Sequence, residues 1–161
     1  MTRRGNAVSY EEDFVAWLED QARRARRGNA AELDLENIAE ELEGMARSDR
    51  REIRNRLIAL LVHLLKYSAQ PKRRSSGWLA TIGEQRSRIA TVIDDSPSLK
   101  SFPGSILEHC YVDARSRAAL ETGLPETNLP ESCPFGVDEV LDPRWLPART
   151  RERLPSHRIE R

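Results

Sequence analysis

Between Asp49 and Gln70 the chain reads DRREIRNRLIALLVHLLKYSAQ, and Pro71 follows at once. The centre of this stretch, Leu57 to Leu65, is apolar on nearly every face of a helix. A helix without a polar side is buried by other helices, so the stretch predicts the spine of a bundle. Along one side, residues 56, 59, 63, 66 and 70 read Arg, Ala, His, Lys, Gln, in line at helical spacing. Polar groups on a buried rod need partners, so this stripe is either a packing network or a site.

The remaining elements follow from periodicity and punctuation. Ser9 with Glu12 reads as a capping box that opens a helix ending at Gly28, with Phe14, Trp17, Leu18 and Gln21 or Ala22 on its apolar face. Asp34 is the expected N-cap of a second helix, whose buried side is predicted to be Leu35, Ile38, Leu42 and Met45. Asn37, Glu41 and Gly44 form a neighbouring stripe, with Glu40 one step round. Asp49 and Glu52 suggest that the spine starts afresh, and one long kinked helix over 34–70 is the alternative.

Ser75 or Ser76 caps the next helix, lined by Trp78, Ile82, Ile89 and Ile93 and flanked by Gln85 and Arg86. A further helix carries Ile106, Cys110, Tyr111, Ala114 and Ala118 inward and stops at Gly123. Five prolines from Pro125 to Pro147 then forbid a long helix, so this segment is expected to wrap over the bundle. The predicted fold is all-α, a single-domain bundle of four to five helices with an irregular, proline-rich C-terminal wrap. In domain terms, 1–8 is a flexible N-terminus, 9–147 the helical domain, and 148–161 a basic, disordered tail.

Several function classes are disfavoured. Lys plus Arg and Asp plus Glu number 26 each, so net charge gives no reason to expect nucleic acid or a membrane surface. The longest apolar run falls short of the roughly 20 residues that span a bilayer. The opening MTRRGNAVSY lacks the apolar core of a signal peptide, so a cytoplasmic location is expected. No HExxH, Glu-x-x-His pair or His triad marks a metal site, no Gly-rich turn marks a phosphate loop, and Cys110 and Cys133 lack ligand spacing. Neither a metal nor a cofactor is expected, and no catalytic residue is assigned.

The segments together resemble a known family. Tyr10-Glu-Glu-Asp13-Phe14 with Trp17, Leu33-Asp34 with Asn37 and Glu40-Glu41, HLLKY with Gln70-Pro71, and Trp78 with Thr81-Ile82 and Gln85-Arg86 carry the match. Ser96-Pro97-Ser98-Leu99, Glu121-Thr122-Gly123-Leu124 and Cys133-Pro134 continue it. The chain is similar, over roughly Tyr10 to Pro147, to domain-of-unknown-function family twenty-nine, a set of small bacterial proteins. The resemblance implies a mostly helical fold and a bacterial cytoplasmic protein, and no activity.

The candidate polar cleft joins Asn37, Glu40 and Glu41 to His63, Lys66 and Gln70, with Trp78 and Arg86 nearby. Lys66 or Arg86 would hold an anion there. The competing reading is a buried hydrogen-bond network that sets how the helices pack. An interaction module, binding itself as a homodimer or binding another protein, is the favoured function. The alternative is a hydrolase or nucleic-acid-processing enzyme using His63, Lys66 and Glu41.

Overall fold

The computed structural model describes residues 8–148. Five α-helices follow one another: α1 (Phe14–Arg26), α2 (Leu35–Ala69), α3 (Ser76–Asp95), α4 (Phe102–Thr122) and the short α5 (Val137–Leu141). A single 3-10 turn sits in each of the four joints, and no strand occurs among the described residues. The expected all-α bundle is what forms. The tail expected to be disordered lies, from residue 149 on, outside the described residues, as do residues 1–7 of the expected flexible N-terminus.

Contacts gather into two compact units, divided between Ser48 and Asp49. In the first, α1 begins one turn later than the Ser9–Glu12 pattern predicts. The Ser9 carbonyl accepts from the amides of Glu12 and Asp13, closing a turn, and the Asp13 carboxylate then caps α1 by accepting from Ala16 N at 3.0 Å. The helix stops where Gly28 takes φ +74°, a conformation that costs any other L-residue about 1 kcal/mol or more. Asp34 caps α2 as expected, accepting from Asn37 N at 3.3 Å. There is no fresh start at Asp49: α2 is one helix of 35 residues, the alternative reading of 34–70.

In the second unit the spine is buried as predicted, with Leu57, Leu60, Leu61 and Leu64 wholly inaccessible. Around it pack Ile82 and Ile89 of α3 and Cys110, Tyr111, Ala114 and Ala118 of α4. Ser75 caps α3 by accepting from Trp78 N at 3.2 Å, and Gly123 ends α4 at φ +71°. The proline-rich wrap sends Leu129, Phe135 and Val140 into the same core.

The wrap is fastened mainly through its own backbone. Arg86 donates from Nε to Val140 O at 2.8 Å and from its NH2 nitrogen to Trp145 O at 2.9 Å. The Tyr111 hydroxyl donates to Pro130 O at 2.6 Å, and Arg115 donates to the carbonyls of Glu126 and Leu129 at 3.0 and 3.3 Å. Charged donors on carbonyls make short, strong bonds, which is how a segment without long helices is held in place.

Candidate functional site

The residues of the expected cleft fall into two groups, each with partners in its own unit. In the second unit, Lys66 donates to Glu121 Oε2 at 2.9 Å and sits 5.0 Å above the Trp78 ring. That hydrogen bond holds the Glu121 carboxyl below the usual carboxylate range. His63 Nδ1 lies 2.9 Å from Ala59 O. A carbonyl only accepts, so Nδ1 carries the proton and a neutral ring leaves Nε2 as its acceptor.

Arg56, at the start of the stripe, bonds Glu52 and Gln85. Gln70 closes the spine and lines an open groove of about 1860 Å³ floored by Leu65, Leu129 and Phe135. Arg86 serves the wrap: burial pulls its guanidinium below the ordinary value, and its donors go to carbonyls. No cluster of ligating side chains suited to a metal occurs among the described residues.

In the first unit, Asn37 and Glu41 belong to the surface on which α1 lies. The Tyr10 hydroxyl donates to Glu41 Oε1, and this bond, with burial as a smaller cause, pushes the tyrosine up to about 12. Trp17, 1% exposed, donates from its indole to Asp34 Oδ2 at 3.3 Å, while Asp34 N donates to Gln21 Oε1 at 2.8 Å. Asn37 donates from Nδ2 to the same Asp34 oxygen at 2.7 Å, and that bond holds the Asp34 carboxyl below its ordinary value. Tyr10 also sets its ring edge against Trp17, with centroids 4.9 Å apart. Glu40, one step round, stays exposed and acts on Tyr10 only through its charge.

Of the expected buried side, Ile38 is half-buried, and the burial expected of Leu35, Leu42 and Met45 is reversed. They are 63%, 61% and 67% exposed, and Leu18 of α1 is 41% exposed. The physical reason is that Tyr10, Trp17 and Gln21 bring polar atoms to the seam, and these select the stripe Asp34, Asn37 and Glu41 that can accept and donate. The neighbouring apolar stripe is left facing outward.

These outward residues share one side of the helix pair. Tyr10 is level with Glu41 and Gln21 with Asp34, so α1 and the first half of α2 run antiparallel. Four of them follow a seam residue by one position: Leu18 after Trp17, Ala22 after Gln21, Leu35 after Asp34 and Leu42 after Glu41. One position is a turn of about 100°. In two antiparallel helices, equal turns away from their shared seam lead to the same side. Sequence periodicity found both stripes; it missed which one points inward.

Comparison with known proteins adds one match. The model of a family described as "Domain of unknown function DUF29" covers residues 9–146. The chain belongs to this family. The DUF29 match takes in every residue of both groups described above. No curated protein and no solved structure matches the chain.

Proposed function

We propose that this DUF29 protein is an interaction module of the bacterial cytoplasm that binds a protein partner through the outward side of α1 and the first half of α2. The single observation that supports this is the apolar face of Leu18, Leu35, Leu42 and Met45, exposed while polar residues fill the seam behind it. A helix buries an apolar stripe against another element, and two helices alone leave such a side open. Contiguous apolar exposure of this sort marks interaction sites. The hydrolase or nucleic-acid-processing alternative draws less support, because Glu41 is engaged by Tyr10 while His63 and Lys66 are engaged by Ala59 and Glu121.

In-cell photo-cross-linking tests this reading. A photoreactive phenylalanine analogue placed at Leu42 should give a discrete adduct, whereas one at Leu120, 84% exposed on α4, should not. No adduct at Leu42, or equal adducts at both positions, would overturn it.

A further inference from the structure

Resting on that reading, we infer that the partner is a second copy of this chain, docked antiparallel about a two-fold axis that passes near Leu18 and Leu35. The argument is charge and size complementarity along the outward face. One end of the helix pair is acidic: Glu11 and Glu12 precede α1, and Glu40 and Glu43, the latter paired with Arg47, are level with them on α2. The other end is basic, with Arg23, Arg24, Arg26 and Arg27 closing α1. Asp20 engages Arg23 and Arg24, but among the described residues no acidic side chain pairs with Arg26 or Arg27.

A two-fold axis near Leu18 and Leu35 lays the acidic end of each copy on the basic end of the other. The reverse, parallel arrangement lays Glu11 and Glu12 of each copy on Glu40 and Glu43 of the other, acid against acid.

Size follows the same symmetry. The axis sets Leu35 against its own copy, and it brings the bulky Leu42 of one copy to the level of the small, exposed Ala22 and Ala25 of the other, diagonally across the joined helices. Two antiparallel helix pairs so joined make a four-helix bundle, with each patch meeting its own image. Helices about 20 Å long and about 10 Å wide offer roughly 400 Å² per copy, the low end of specific interfaces, so the dimer should depend on concentration.

Sedimentation velocity of the full chain from about 1 to 200 µM tests this. The wild type should pass from monomer to dimer, and Leu18→Glu with Leu42→Glu should stay monomeric with an unchanged helical spectrum. Glu11→Arg with Glu12→Arg should weaken the dimer at least tenfold, and adding Arg26→Glu with Arg27→Glu should restore it. Leu35→Cys, at an exposed position and hence mild for folding, should form an intermolecular disulfide on oxidation, while Met45→Cys, far from the axis, should not.

A wild type monomeric throughout would overturn self-association. The Leu42 cross-link to another protein would then still uphold the interaction reading, and its absence would end both. A dimer indifferent to the Leu18 and Leu42 changes, or to the charge reversals, would overturn the proposed axis.

Discussion

The Tyr10 hydroxyl is a hydrogen-bond donor to Glu41, thirty-one residues further along the chain. The bond joins the segment before α1 to the first half of α2 and depends on Tyr10 staying protonated. Its partner raises the phenol from its ordinary 10.0 to about 12. A folded value above the unfolded one means that the contribution is complete below pH about 10 and is lost as pH rises through about 12. Absorbance near 295 nm should show two tyrosines titrating late, Tyr10 and the buried Tyr111, and Tyr10→Phe should remove one of the two. A late phase of undiminished amplitude in the variant would show that Tyr10 titrates with the ordinary tyrosines and that Tyr111, raised by its burial, is the sole source.

Arg86 is expected to be among the costliest surface-to-core contacts to remove. Arg86→Met leaves the carbonyls of Val140 and Trp145 without their charged donor, a loss of about 3 kcal/mol. Lysine lacks the planar fork that reaches both, so Arg86→Lys should recover little. Chemical denaturation measures the loss, and Trp145 fluorescence should report loosening of the wrap ahead of the main transition. A variant within 0.5 kcal/mol of wild type, to the order of an ordinary surface change, would remove the clasp from the account.

Two glycines should respond in opposite senses to the same substitution. Neither Gly123 nor Gly83 has an atom of the surrounding structure within 4 Å of an added Cβ, so only the local backbone conformation decides the outcome. Gly123 holds φ +71° and Gly123→Ala should cost about 1 kcal/mol. Gly83 lies inside α3, where alanine is the better helix former, so Gly83→Ala should gain about 0.8 kcal/mol. Thermal melts of the pair make an internal control.

The two cysteines should separate by reactivity. Burial pushes the Cys110 thiol up to about 11, and its side chain is inaccessible. Cys133 is only half-buried, although burial raises it too. Thiolate is the reactive form, so iodoacetamide at pH 8 should label Cys133 slowly and Cys110 only after denaturation. Native labelling of Cys110 at the faster rate would show that α4 opens from the spine.

What the sequence disclosed depended on the kind of signal each element carries. Leu57 to Leu65 is apolar on nearly every side, so its burial followed from composition at one place in the chain. Ser75 and Gly123 act locally, and local chemistry is readable. Leu35, Leu42 and Met45 share a face by spacing alone, but spacing does not say whether that face points inward. That was decided by Asp34 and Glu41, through partners seventeen and thirty-one residues away. Arg86 was legible as a residue flanking an apolar line, and its acceptors were not, because a backbone carbonyl leaves no mark on the sequence.

The carbonyl clasps of the wrap also bear on how this family varies. Arg86, Tyr111 and Arg115 grip atoms that every amino acid possesses, so the residues at 126, 129, 130, 140 and 145 need not be retained for those bonds to form. The three donors enjoy no such freedom. Across DUF29 members, drift should therefore be one-sided, with the gripping side chains kept and the gripped positions rewritten wherever the core contact of Leu129, Val140 or Trp145 does not itself demand an apolar residue.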